Sequence, residues 1–221
     1  MTGNDKTTAQ RPSTPPCNRL QSIYLLVTAA IVGYGTFLSV TSEGYFDPSS
    51  LKYFTNQSNL LMALGYILVF ILLKSRSRWA IQVRDYLSVT VLLAMLVTGL
   101  IYSLVLVPLN GNAPPLSDYT NFSTHLLAPL LALGHFLFFS ERGRLRIKGI
   151  LAAMAYPIVY WLIFVLIGGT IGFYPYFFMD PTRVGWTMLF VWFAALLAIF
   201  AVIGLLLLVF DGWRAKPPAC D

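Results

Sequence analysis

Six apolar runs alternate along the chain with short polar intervals: Gln21–Val40, Leu51–Leu73, Leu87–Pro108, Asn121–Phe139, Gly149–Gly169 and Trp186–Phe210. Each falls near the roughly 17–25 residues that a helix needs to cross the ~30 Å hydrocarbon core of a bilayer. The pattern predicts an all-α integral membrane protein, a six-transmembrane-helix bundle. Short links between the runs predict antiparallel neighbours in up-down order. One membrane domain over 21–210 then leaves a disordered cytosolic tail at 1–20 and a second cytosolic tail at 211–221. The first run exceeds the roughly 7–15 apolar residues of a signal peptide, and no small-residue cleavage pattern follows it. It reads as a span.

The second run departs from the usual pattern. Five uncharged polar residues, Thr55, Asn56, Gln57, Ser58 and Asn59, open it where hydrocarbon should begin. Polar groups at that depth are costly unless paired or used. A histidine, His125, enters the fourth run at a similar depth. Each residue is the fifth of its run, which puts both about 6 Å inside the helix start. Thr55, Ser58, Asn59 and Met62 share one face, and Asn121, Thr124, His125 and Ala128 share another. If those faces meet, they form a small polar chamber. Two readings of Thr55 stand at this point: a helix cap, which threonine serves well, or a site residue opposite His125. Pro129 lacks the N–H that would bond the His125 carbonyl, so a bend and a free acceptor are expected beside the imidazole.

Composition adds class and orientation. The chain is 57% hydrophobic and 11% charged, whereas soluble domains carry roughly 25% charged residues. Thirteen of its 15 basic residues flank the runs on one face, leaving Lys52 and Arg183 for the other. By the positive-inside rule both termini face the cytoplasm, in a multi-pass protein of the cell membrane. The net charge of +6 thus reports topology and contact with membrane lipids, not nucleic acid. Cys17 and Cys220, one in each tail, offer neither a disulfide framework nor a metal cluster, and no cofactor is implied. His135 lies about 15 Å deeper than His125 and rotated by roughly 80°, so the two cannot serve one centre; it reads as structural. Haem has no second helix to supply an axial histidine. The spans hold no carboxylate pair of the kind a proton pump uses. Asn56-Gln57-Ser58 and Asn121-Phe122-Ser123 match the glycosylation acceptor pattern but fall inside helix starts. In the loop FYPYFFMDPTR, Asp180 either orients a histidine or pairs with Arg183.

Four segments then carry a resemblance. KYFTNQSNLL, the H-x-x-x-P of His125 and Pro129, and the late YPIVYW and YPYFFMD segments resemble the androgen-induced protein/ADTRP superfamily of multi-pass membrane hydrolases, in particular its small bacterial branch. The resemblance covers helices two, four and five with the following loop. It implies a threonine-dependent hydrolase of fatty acid esters of hydroxy fatty acids, its essential threonine at Thr55 and its essential histidine at His125. The substrate is then a lipid ester drawn from the bilayer. Ser58, Asn59, Asn56, Asp180 and Tyr176 are the expected substrate-side residues, with Asn59 or Ser58 donating to the oxyanion. A small-solute or lipid transporter and a non-catalytic scaffold are the rival classes. A transporter should carry polarity through to the cytoplasmic face, whereas this chain concentrates it at one end, His135 apart.

Overall fold

The computed structural model describes residues 19–42 and 45–215. The expected N-terminal tail and both cysteines, Cys17 and Cys220, fall outside these residues, Arg19 and Leu20 apart. Six helices are long and apolar enough to cross a membrane: α1 Arg19–Ser39, α2 Phe54–Leu72, α3 Arg78–Asn110, α4 Tyr119–Phe139, α5 Ile147–Ile171 and α6 Pro181–Ala215. This is the architecture of a multi-pass membrane protein. Large apolar side chains stay exposed along α1 and α6, among them Ile23, Val27, Phe37, Leu206 and Val209. Such faces suit hydrocarbon as they would not suit water.

The helix limits differ from the expected runs for local reasons. Residues Leu51 and Lys52 belong to a 3-10 turn, Pro48–Lys52, set by Asp47. The Asp47 carboxylate accepts from the Ser49 N–H at 2.9 Å and from the Ser49 and Ser50 hydroxyls at 2.8 and 3.0 Å. These bonds, the Ser49 hydroxyl first, hold the carboxyl below its ordinary pKa. A short antiparallel pairing of Thr41–Ser42 with Tyr45–Phe46 leads into that turn. Helix α3 starts nine residues before the apolar run because Ser77 caps it, its hydroxyl accepting from the Ala80 N–H at 3.1 Å. The second tail, expected from residue 211, is helical to Ala215. Its start is held down: Asp211 accepts from the Leu145 N–H at 2.9 Å, and Arg214 donates to the carbonyls of Phe136 and Ser140. Gly185, at φ 76° and ψ 157°, breaks the first turn of α6. Only glycine adopts that backbone without strain.

Helix α3 is the hub. It packs on α2, α4, α5 and α6, while α1 closes against α2 and α4. Lipid tails are as apolar as leucine, so such helices associate through close packing and interhelical polar contacts. The central cluster joins Leu25 and Val32 of α1, Met62 and Tyr66 of α2, Met95 of α3 and Ala128 of α4, all at or near zero exposure.

Two of the helices widen where proline interrupts the ladder. In α3 a π-helical turn covers Tyr102–Leu106, and in α4 another covers Ser123–Leu127. Each begins six residues before a proline, Pro108 or Pro129. Proline lacks the donor for the carbonyl four residues earlier, and a π-turn absorbs that loss by shifting to i→i−5 bonds. Val107 accordingly donates to the Tyr102 carbonyl and Ala128 to the Ser123 carbonyl. The bend expected at Pro129 is therefore taken up as a π-turn, and it contains His125. Gly99 lets α3 press onto it: a Cβ there would stand 2.9 Å from Pro129 Cγ and 3.0 Å from the His125 carbonyl oxygen. Gly99→Ala is expected to cost about 1–3 kcal/mol through overpacking. Thermal unfolding of the purified variant, compared with Gly65→Ala, where the nearest atoms are flexible leucine methyls 3.3–3.4 Å away, checks this.

Candidate functional site

The polar run of α2 is buried, and most of its members are committed to protein partners. Asn56 donates to the Ser50 carbonyl at 2.8 Å and accepts from the Ser39 hydroxyl at 2.8 Å. Gln57 donates to the Leu51 carbonyl at 2.9 Å. Both tie the helix start to the preceding turn. Ser58 meets the Tyr156 hydroxyl of α5 at 3.3 Å.

Thr55 is not a cap. The capping position is Tyr53, and no side chain bonds there. Instead the Thr55 N–H, an orphan donor of the first turn, reaches the Tyr176 hydroxyl at 3.4 Å. Burial raises the Tyr176 pKa, and contact with the Thr55 side chain opposes that rise. Tyr176 thus meets Thr55 from the α5–α6 loop.

Asn59 ties the two expected halves of the site together. Its Nδ2 donates to the Thr55 carbonyl at 2.9 Å and to the Thr124 carbonyl of α4 at 3.2 Å. Two parallel helices that offer carbonyls to one amide nitrogen stand at one level. Thr55 and His125, the residue after Thr124, therefore share a depth. They reach it from different starts, since Thr55 is the second residue of α2 and His125 the seventh of α4. No hydrogen bond joins Thr55 to His125. The imidazole instead stacks on Tyr102, ring centroids 3.4 Å apart and planes 7° from parallel. The two π-turns thus present their rings to each other. The Tyr102 hydroxyl lies 2.7 Å from both the Ala113 carbonyl and Asn121 Oδ1, which share its proton. Asn121 in turn donates to Asp118, the cap of α4. Bonds from the Asn121 backbone, then from the Ser117 and Asn121 side chains, hold the Asp118 carboxyl below its ordinary pKa.

Three buried polar atoms around this junction lack a partner: Asn59 Oδ1, Thr98 Oγ1 and His125 Nδ1. Such atoms are rare in folded proteins, and each calls for an explanation. They come from three helices, α2, α3 and α4.

Thr55 also lines a cavity of about 590 Å³, counted to its open mouth. Its wall is almost wholly apolar, with Val97, Ile101, Pro157, Trp161, Phe193 and Phe200 among the contributors. Thr55, Thr98, Tyr102, Tyr160 and Tyr176 also line it, showing it mainly their apolar atoms. His125 does not line it; Tyr102, on which His125 stacks, does. Thr98 and Tyr102 were not singled out by the sequence. The repeated spacing of a proline six residues after each π-turn start was the available signal.

Two expectations fail here. Asn59 spends both amide hydrogens on backbone carbonyls, so it has none for an oxyanion. Asp180 neither orients a histidine nor pairs with Arg183: its carboxylate accepts from the Thr182 N–H at 2.9 Å and hydroxyl at 2.6 Å, opening α6. Asparagine caps as well as aspartate, so Asp180→Asn is expected to leave any activity within about twofold, as an initial-rate assay will report.

Polarity is also not confined to one end. A second chamber, about 850 Å³ to its mouth, lies at the end where the basic links gather and contains His135, Asp85, Glu141, Arg144 and Asp211. His135 is buried there, 3.5 Å from Gln21 Nε2 and between the rings of Tyr24, Tyr66 and Phe139.

No model of a known family, no curated protein and no solved structure matches the chain.

Proposed function

We propose that the protein is an intramembrane threonine-dependent hydrolase of lipid esters, with fatty acid esters of hydroxy fatty acids as the substrate class that the sequence resemblance implies. One observation carries the reading. Thr55 stands in the wall of an apolar cavity, level with a histidine turn whose ring nitrogen is buried and unpaired. An apolar pocket with a few converging polar groups is the usual form of a small-molecule site.

In the proposed reaction Thr55 Oγ1 attacks the ester carbonyl while its proton passes to His125, relayed by one water. The tetrahedral intermediate collapses as the C–O bond to the leaving hydroxy acid breaks and that oxygen takes the proton from His125. Water, deprotonated by the same histidine, then attacks the acyl-threonine; the second intermediate releases the free fatty acid and returns the proton to Thr55. Thr98 fits the oxyanion donor role better than Asn59 or Ser58, since the residue lines the cavity and its hydroxyl has no protein partner. One such donor is worth about 3 kcal/mol in other hydrolases. Acyl chains would lie against the aromatic and aliphatic walls.

The orientation proposed with this activity places both termini in the cytoplasm and the cavity toward the outer leaflet of the cell membrane. Ser49→Cys in a background lacking Cys17 and Cys220 is expected to react with an impermeant maleimide in intact cells; reaction only after lysis overturns the orientation. For the activity, purified protein is incubated with a fluorophosphonate and, separately, with a panel of lipid esters. The expected result is an adduct on the peptide holding Thr55 and turnover of branched esters. An adduct elsewhere, or no turnover of any ester, counts against the reading.

A carrier is the second reading, and the chamber at the opposite end favours it. Its test is uptake into vesicles that survives Thr55→Ala.

A further inference from the structure

Asp211 is 1% exposed, near the end of α6 in the second chamber. One carboxylate oxygen, Oδ2, accepts from the Leu145 N–H at 2.9 Å, and the other, Oδ1, is buried with no partner. The nearby guanidiniums do not meet it. Arg144 is held by Asp85 at 2.9 Å and by Glu141. Arg84 donates to the Leu73 carbonyl at 3.1 Å, capping the end of α2. Arg214 donates to the Phe136 and Ser140 carbonyls and lies over the rings of Phe136 and Phe210. Among the described residues each of these cations is spent on another group, while a buried carboxylate oxygen is left without a partner on a residue that lines the chamber. An unmatched buried charge acceptor is expensive, and a ligand that supplies N–H donors and positive charge removes the cost.

We infer that the chamber at the basic end binds a primary ammonium group, with Asp211 Oδ1 as its anchor. The rest of the wall suits that chemistry. Phe136 and Phe139 put aromatic rings on the wall beside an organic cation. Gln21, Ser88 and Ser140 offer neutral acceptors for further N–H bonds. A divalent metal fits poorly, because calcium and magnesium want six or more oxygens, and among the described residues no group of three His, Cys, Asp or Glu is placed to hold one. An anion fits less well, since Asp85, Glu141 and Asp211 outnumber Arg84 and Arg144 on the wall and both arginines are already bonded. The ammonium comes either from an aminoalkyl lipid headgroup or from a soluble amine. The inference is independent of the ester-hydrolase reading.

The test uses the full chain in phosphatidylcholine nanodiscs, followed by thermal unfolding, since a ligand that binds only the folded state raises the midpoint. Ethanolamine is titrated against choline, which lacks N–H donors, and against sodium chloride at equal ionic strength. A parallel set of nanodiscs contains phosphatidylethanolamine. Ethanolamine is expected to raise the wild-type midpoint saturably, with choline and salt giving no saturable rise. If phosphatidylethanolamine alone raises it and soluble ethanolamine then adds nothing, the headgroup is the source; a soluble-amine response in both nanodiscs points to a free amine. Asp211→Asn keeps an oxygen for the Leu145 N–H but loses the charge, and should weaken ethanolamine at least about tenfold. The inference is overturned if neither source moves the wild-type midpoint, if choline or salt matches ethanolamine, or if Asp211→Asn responds like the wild type. Should that variant fail to fold, the wild-type comparison of ethanolamine with choline decides alone.

Discussion

Thr55→Ala is expected to abolish ester hydrolysis while leaving the fold nearly unchanged. The side chain is 8% exposed, yet it caps no helix, and the contacts that anchor the start of α2 belong to its backbone and to Asn56, Gln57 and Asn59. Losing one hydroxyl and one methyl there should cost about 1 kcal/mol. Losing the nucleophile removes the acyl intermediate itself, so the rate should fall by several powers of ten. Thr55→Ser sharpens the test, because it keeps the oxygen and drops only the methyl. Turnover restored by serine identifies the hydroxyl as the working atom. Equal hydrolysis by alanine, serine and wild-type proteins would leave Thr55 as a wall residue and remove the centre of the proposed mechanism.

The second large effect is expected at His125, where His125→Phe is more informative than alanine. Phenylalanine preserves the ring stacked on Tyr102 at 3.4 Å and deletes a buried nitrogen that has no partner. Replacing an unsatisfied buried polar group by an apolar one of similar shape is neutral or stabilising, so the unfolding midpoint should hold or rise. Removal of a general base should at the same time slow turnover about 10²–10⁴-fold. A stable variant with wild-type turnover makes His125 a stacking partner and nothing more. Measured together, midpoint and rate separate those outcomes, which a loss of activity alone would not.

Much of the architecture was readable from hydropathy because a bilayer imposes a simple rule. Each span must satisfy its own backbone, so spans are helices of a set length and appear as apolar runs. That rule yields the six helices and their order. It does not yield ends set by local polar bonds: Asp47 and Ser77 shifted the starts of α2 and α3, and the docking of Asp211 and Arg214 carried α6 into the expected tail.

The candidate site divides the same way. The cost of polar groups in hydrocarbon singled out Thr55, Asn59 and His125, and one Asn59 amide bonds the backbone carbonyls of both Thr55 and Thr124. Helical periodicity could not say where their side chains point. The His125 turn before Pro129 has π geometry, and its ring stacks on Tyr102. Nor could it reveal the partners from other segments, Tyr176 apart. Thr98, Tyr102 and Asp211 stand alone in their own runs and acquire meaning only when helices far apart in the chain close around them. The sequence by itself determined the number, order and class of the spans, since these follow from each segment's own transfer energy. Which polar atoms meet, and which remain buried and unpaired, was decided by the packing of α3 against α2, α4, α5 and α6, because such contacts depend on rotations and approaches that no single segment encodes.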